Sequence, residues 1–158
     1  MAQYNAWQNN GLSVIVAAMD DVKLRADRGA FFGSIFETLN HLLWGDLLWT
    51  SRFDGGLSPD PSIKDSTSVT QSPAEWAKQR AQLDVRISGW ADAVTQADLT
   101  GDIAWHSVAV HREISKPKTV CIVHFFNHQT HHRGQVHAML TAAGQKTSDT
   151  DLPFMPET

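Results

Sequence analysis

The sequence has one cysteine, one tyrosine and no cluster of positive charge among its 158 residues. A lone Cys121 excludes an internal disulfide framework and any zinc site built from several thiolates. The thirteen Lys and Arg form no run and the net charge is -4. Because phosphate contacts need a clustered basic surface, this pattern argues against a general nucleic-acid partner. The sequence is rich instead in histidine, with eight, and tryptophan, with six.

Long hydrophobic runs are also missing. The N-terminal segment MAQYNAWQNNGLSVIVAAMDD has no positively charged start, and its longest apolar run is too short for a signal peptide or a membrane span. We therefore expect a mature N-terminus, a cytoplasmic protein and no membrane partner. A chain of this length can form one domain over residues 1–158 that buries roughly two-thirds of its unfolded surface without disulfides or a structural metal. Any metal is then more consistent with function than with folding.

Four helix-length segments predict an all-α, four-helix bundle. The first covers residues 2 to about 18, and the second, strongly apolar, covers residues 30 to about 53. The third starts at the motif SPAE, residues 72–75, where a capping Ser, a first-turn Pro and a Glu follow one another, and it ends near residue 97. The fourth runs from near Pro117 to Ala143-Gly144, where Gly is the expected stop.

Two connections have their own character. Residues 54–71 are rich in Gly, Pro, Ser, Thr and Asp, which predicts a long surface loop. The segment 99–115 is rich in β-branched residues and is too short for a bundle helix, so we expect a small β-hairpin there.

The fourth helix contains the run NHQTHHRGQVH, which holds four of the eight histidines. A metal ion takes His nitrogens at about 2.0–2.1 Å, so two ligands from one helix must be three or four residues apart. The pairs that satisfy this are His124/His128, His128/His131 and His128/His132. Because a helix rises about 1.5 Å per residue, Cys121 lies about 10 Å from His128 and is excluded as a further ligand. We interpret it as a small buried hydrophobic residue.

The amphipathic pattern ranks these pairs. His132 falls inside the apolar arc of the fourth helix and His128 lies on its flank, whereas His124 and His131 fall outside it. The arc is formed by Phe125, Val136, Met139, Leu140 and Ala143. Bundle metal sites are built from residues that project into the core, so His128/His132 is the preferred pair. His131 and His137 are then expected at the surface or as outer groups of the site.

A third ligand must come from another helix, and His41, midway along the second helix, is the best candidate by position. It lies opposite the main apolar stripe of that helix, on a nearly uncharged face shared with Ser34, Thr38, Gly45 and Leu48. This face suits packing against a neighbour, but the same pattern fits a partly exposed histidine. Periodicity alone leaves the choice open.

Three blocks of sequence resemble the DinB or YfiT-like metalloenzymes, a family named for damage-inducible proteins. They are YNAWQNN at residues 4–10, DRGAFFGSIFETLNHLLWGDLLW at 27–49 and HFFNHQTHHRGQVHAML at 124–140. The resemblance covers nearly the whole chain. It implies a four-helix bundle, often a homodimer, whose metal is held by one histidine of the second helix and an HxxxH pair of the fourth. Carried onto this sequence, the metal ligands are His41, His128 and His132.

Three neutral imidazoles leave a divalent ion with its full charge and an open position, as in catalytic sites. Zinc and nickel suit such ligands best, with iron a further candidate. Gln129 replaces the general-base Glu of the HExxH motif, which disfavours a protease. The resemblance includes thiol-dependent transferases and isomerases, and so implies a thiol S-transferase or hydrolase type of enzyme with a small-molecule thiol cosubstrate.

Two other hypotheses remain from the sequence: a non-catalytic, stress-induced dimer that binds metal, and a bundle without metal. No catalytic residue is assigned. Asp46 falls on the apolar arc of the second helix, where we expect it to pair with Arg133 or to orient a ligand, the structural role being favoured. The tryptophans at positions 44, 49, 76, 90 and 105 are expected to form core and pocket wall.

Overall fold

The computed structural model describes residues 1–60, 62–108 and 110–157. Its α-helices are α1 (Ala2–Ala18), α2 (Asp21–Arg25), α3 (Ile35–Asp54), α4 (Pro73–Ala93) and α5 (Lys118–Ala142), and its strands are β1 (Asp102–Ser107) and β2 (Arg112–Pro117). Short 3-10 helices lie at Ile63–Ser68, Ala97–Leu99 and Leu152–Phe154. The predicted all-α architecture is confirmed, with α1, α3, α4 and α5 as the four long helices.

The four long helices enclose one apolar core. Helix α1 packs against α4, α4 against α3, and α3 against α5. A hydrogen bond from Arg133 of α5 to Asn5 of α1 joins the remaining pair. The largest buried apolar side chains come from every helix of the bundle, among them Val16, Phe36, Leu39, Leu43, Trp76, Ile87, Phe125 and Leu140. Among the described residues, no helix is both long and apolar enough to cross a membrane.

Helix α3 begins later than predicted. Its start is a capping box: Ser34 Oγ accepts from the Glu37 backbone N–H at 3.2 Å, and Glu37 Oε2 accepts from that of Ser34 at 3.1 Å. Gly33, with φ of 78°, turns the chain just before the cap. The apolar residues at 30–32 that suggested an earlier start therefore belong to a turn. Helix α4 ends at Ala93, four residues before the predicted end, because Val94 is extended.

The connection at residues 54–71 is not a surface loop throughout. Its second half forms the 3-10 helix Ile63–Ser68, which packs against α3. Ser66 and Thr70 are buried, and Asn40 Oδ1 of α3 accepts from the backbone N–H of Thr70 at 2.7 Å and from its hydroxyl at 2.8 Å. Ser66 and Thr70, two of the polar residues on which the predicted exposure rested, therefore hydrogen-bond to α3.

The predicted β-hairpin is confirmed. Strands β1 and β2 pair antiparallel from Asp102 opposite Pro117 to Ser107 opposite Arg112. Trp105 of β1 packs edge-on to Trp49 of α3, with ring centroids 5.5 Å apart, and so places the hairpin over the end of the bundle. Cys121, in the first turn of α5, is buried as expected.

An ion pair between α3 and α4 gives a pH-dependent prediction. Asp54 accepts from Arg86 at both oxygens, at 2.7 and 2.8 Å, and these hydrogen bonds hold the pKa of Asp54 below its usual range. A carboxyl group whose pKa is lowered by folding stabilises the folded state at pH values above its unfolded-state pKa of about 3.9. This stabilisation is lost as the pH falls through the lower pKa of the folded state. We expect Asp54→Asn to reduce the free energy of unfolding by about 1 kcal/mol at neutral pH. The difference from wild type should shrink below about pH 4.

Urea unfolding followed by tryptophan fluorescence at neutral and acidic pH measures this difference. An equal loss at every pH would mean that the charge of Asp54 is not the cause.

Candidate metal centre

Three histidines converge where α3 and α5 meet. One nitrogen of each ring of His41, His128 and His132 lies within 4.8 Å of the other two. His41 and His132 are buried, and His128 is partly exposed. Within the described residues this is the only cluster of three or more histidine, cysteine or acidic side chains with this spacing. The structure therefore brings together the three residues proposed as ligands and leaves His124 and His131 outside them.

The spacing fits a shared metal ion. His41 Nε2 and His128 Nε2 lie 3.3 Å apart. Two imidazole nitrogens bound tetrahedrally to one ion at about 2.0–2.1 Å would be about 3.3–3.4 Å apart. Helix geometry supplies the third nitrogen, because His132 follows His128 by one turn and their ring centroids are 4.5 Å apart. The cluster can hold a metal ion with little movement of side chains.

His41 is oriented by contacts on two sides. Its Nδ1 lies 3.0 Å from Ser66 Oγ, which leaves Nε2 directed at His128. The ring of Phe32 stacks on that of His41 with centroids 4.0 Å apart. Phe32 lies in the turn before α3, and Ser66 lies in the 3-10 helix after it. The segments on either side of α3 therefore hold the ring of His41 in place. Such outer partners set the orientation and basicity of a metal-binding imidazole.

Gln135 orients His132 in the same way. Its Oε1 lies 2.7 Å from His132 Nδ1, and because an amide oxygen only accepts, Nδ1 must carry the proton. The lone pair of His132 is then on Nε2, available to a metal. The Gln135 side-chain amide nitrogen lies 3.3 Å from His131 Nε2 and donates to it. His131 is exposed and contacts the site only through Gln135, whereas His137 contacts Thr147, so both lie outside the ligand set as expected.

Gly45 allows the two helices to approach each other at the site. It lies one turn after His41 on α3. A Cβ placed there would be 2.9 Å from His128 Cε1, which is closer than Cβ atoms approach other side chains in real structures. The face that carries His41, left open by the sequence pattern, thus packs against α5 of the same chain. Sequence reasoning placed Gly45 on this face but missed its role. Ser66, Gln135 and Phe32 were missed as well, although Gln135 stands three residues after His132, where a side chain can reach it.

All three candidate ligands are neutral at neutral pH. Burial, with a smaller contribution from His132, lowers the pKa of His41 to about 4. Burial and the neighbouring histidines lower the pKa of His128 to about 3, and burial also lowers that of His132. Since a metal binds the deprotonated imidazole, no proton has to be removed before binding at neutral pH.

Asp46 and Arg133 do not form the expected pair. Asp46 Oδ2 instead accepts from Arg80 Nη1 at 2.5 Å in the bundle core, and Arg133 donates to Asn5. The structural role favoured for Asp46 is the one observed. Gln129 is also buried on the Asp46 side of α5, away from the three histidines. A neutral amide does not take up a proton near neutral pH, so Gln129 cannot replace the general base that an HExxH site requires.

The tryptophans are structural, as expected. Trp76 is fully buried and donates its indole N–H to the Leu39 carbonyl at 3.1 Å. Trp44 is buried on α3 beside His41, with ring centroids 6.0 Å apart. Trp49 and Trp105 enclose the guanidinium of Arg52, at 4.6 and 4.7 Å from the ring centroids.

The outer hydrogen bond to His41 gives a further prediction. Ser66→Ala removes the hydroxyl that holds the ring, and outer-shell changes of this kind lower metal affinity by about 10–100-fold. Ser68→Ala is the matched control, because Ser68 lies on the same 3-10 helix, is exposed and donates to Asp65. Competition with a chromophoric chelator measures both affinities. Equal affinities for the two variants would show that Ser66 does not support the site.

The chain resembles known proteins in its sequence and in its fold. The model of the DinB family matches residues 1–158. The chain is 24% identical over 153 residues to Protein DinB of Bacillus subtilis (strain 168), covering 94% of this chain and 87% of that protein. It also resembles the crystal structure of a DinB-like protein from Bacillus cereus ATCC 10987, with a TM-score of 0.65, 18% identity and 90% of each chain covered. The second likeness supports the helical-bundle fold.

Proposed function

Because the chain belongs to the DinB family, we propose that His41, His128 and His132 bind a divalent metal ion and form the centre of an enzyme of the thiol S-transferase or hydrolase type. The observation that carries this proposal is the convergence of three neutral imidazoles, with two of their nitrogens 3.3 Å apart. Three protein ligands are typical of catalytic zinc sites, which keep one position for water or substrate. No carboxylate lies within this cluster of described residues.

The chain's own groups would orient the ligands and restrict access. Gln135 holds His132 with its Nε2 free of a proton, and Ser66 would do the same for His41 by accepting a hydrogen bond from Nδ1. Phe32 lies over His41 and near His132, with ring centroids 5.4 Å apart in the second case, so it shields one side of the cluster from water. A divalent ion bound there would lower the pKa of a coordinated water or thiol.

Zinc and nickel are the metals we propose first, with iron third, because imidazole suits all three. A small-molecule thiol as cosubstrate and a homodimeric assembly complete the proposal, and both rest on the family likeness. Phe31, 83% exposed and adjacent to the ring that covers His41, is a candidate contact for the second chain. Light scattering after size-exclusion chromatography would measure the mass in solution, and a monomer would reject the dimer.

Metal removal separates a catalytic centre from the alternative, a non-catalytic dimer held together by its metal. The apolar core is built without the histidines, so we expect chelation to lower the melting temperature by only a few degrees. Thioether formation from glutathione and an electrophilic aryl halide should depend on added metal and be lost in His41→Ala. Calorimetry and absorbance measure the two effects. Loss of most thermal stability on chelation, with no metal-dependent turnover, would favour the structural alternative.

A further inference from the structure

A cavity away from the three histidines lies between α1, α5 and the C-terminal tail. Its volume is about 410 Å³, within the range of small-molecule sites, and none of the three clustered histidines lines it. Helix α1 contributes Tyr4, Leu12 and Ile15, and α5 contributes Arg133 and His137. The cavity therefore combines an apolar side with one strongly basic group, and its remaining polar lining residues are uncharged: Gln8, Thr130, Thr147, Ser148 and Thr150.

The tail forms a fixed outer wall of this cavity. Tyr4 Oη donates to the Thr150 carbonyl and Gln8 Nε2 to the Asp149 carbonyl, both at 2.8 Å. His137 Nε2 lies 3.3 Å from Thr147 Oγ1. The first two contacts join residues more than a hundred positions apart, so three separate parts of the chain, α1, α5 and the tail, border the cavity.

Arg133 is a buried cation without a carboxylate partner. It is 8% exposed, Nη1 donates to the neutral Asn5, and its Cζ lies 5.6 Å from the Tyr4 ring centroid. Within the described part of the chain it forms no ion pair, and the nearby Asp46 is already paired with Arg80. Removing a guanidinium from water without an ion-pair partner is unfavourable. An anion in the cavity would relieve this.

We propose that the cavity binds a small monocarboxylate with a compact apolar tail. Arg133 would hold the carboxylate through its planar donor groups, which match two carboxylate oxygens. Leu12 and Ile15 would contact the apolar part. Among the described residues that line the cavity, Arg133 is the only Lys or Arg, so a single negative charge is matched and the second charge of a phosphate dianion is not.

Gly134 provides a test that leaves Arg133 in place. It lines the cavity, and a Cβ added there meets no atom within 4 Å, so a side chain can begin at this position without a backbone clash and Gly134→Leu should occupy part of the cavity. Gly89→Leu is the matched control, because Gly89 is also an exposed helical glycine with open space around it, on α4 and outside the cavity. Titration of ¹⁵N-labelled protein with butyrate, followed at the Arg133 Nε–H signal, measures binding. Inorganic phosphate is titrated in parallel.

We expect saturable binding of butyrate with a millimolar dissociation constant, as suits so small a ligand. Gly134→Leu should weaken it by at least about tenfold, while Gly89→Leu should not change it. Arg133→Gln, which keeps a donor for Asn5, should weaken it as much, and Arg133→Lys less. His128→Ala should bind butyrate as wild type does, which separates this proposal from that of the metal centre.

Three results would overturn the proposal. They are the absence of saturable butyrate shifts, equal binding by Gly134→Leu and Gly89→Leu, and a preference for phosphate over butyrate. Should Arg133→Gln fail to fold, the comparison of the two glycine variants still decides.

Discussion

His128→Ala is expected to lose stoichiometric metal binding, with affinity reduced by more than about a hundredfold. The reason is that outer-shell partners alone are worth about 10–100-fold, and a direct ligand contributes more. The ring centroid of His128 lies 5.3 Å from that of His41 and 4.5 Å from that of His132, so the substitution removes one of the three proposed direct ligands. Elemental analysis of protein made without an affinity tag, together with chelator competition, measures the loss.

His124→Ala is the control for this experiment. His124 lies one turn before His128 on the same helix, with ring centroids 5.7 Å apart, but it is outside the cluster and packs against Trp49. The His124→Ala variant should retain about one metal ion per chain. Metal loss in His124→Ala would instead support the pair His124/His128, and equally low metal in wild type and His128→Ala would reject the site.

Arg80→Met is expected to lower the free energy of unfolding by about 3–5 kcal/mol, the range found when one partner of a buried ion pair is removed. Arg80 is 2% exposed and lies between two carboxylates, with Nη1 2.5 Å from Asp46 Oδ2 and Nη2 2.8 Å from Asp84 Oδ1. The variant leaves both acids buried without their cation. Asp84 would keep only the hydrogen bond from Asn9.

Arg86→Met controls for the loss of an arginine from α4. Arg86 also pairs with an aspartate of α3, but its side chain is 26% exposed, so its removal should cost no more than about 1 kcal/mol. Urea unfolding followed by far-UV circular dichroism compares the two variants. A cost for Arg80→Met as small as that for Arg86→Met would mean that Asp46 and Asp84 take up protons or water without penalty.

Much of the bundle could be predicted because its signals are local. The motif at residues 72–75 starts α4 at Pro73, and Gly144 follows the end of α5, as capping chemistry requires. The start of α3 was equally available in the Ser34 and Glu37 pair, but the apolar residues before it looked like more helix. The short α2 was missed because a five-residue helix has too few turns to show periodicity.

The candidate site, too, was predictable where it depends on local sequence and not where it depends on how the helices pack. The choice of His128 with His132 follows from spacing along one helix and from the apolar arc, both of which the sequence contains. That His41 meets them depends on how closely α3 approaches α5, and periodicity could not decide it. The partners of Asp46 and His41 were also beyond local reasoning, since Arg80 and Ser66 lie 34 and 25 residues away along the chain.

If the three histidines bind a metal as proposed, the hydrogen bond between Ser66 and His41 would make metal occupancy and the folding of the 63–68 segment linked equilibria. An ion that binds more tightly when the segment is docked must, by thermodynamic reciprocity, hold the segment docked when it is bound. Local opening of this short helix would then release the ion at a rate that has no connection with global unfolding. The segment whose polar composition predicted a surface loop would in this way regulate how long the metal remains bound.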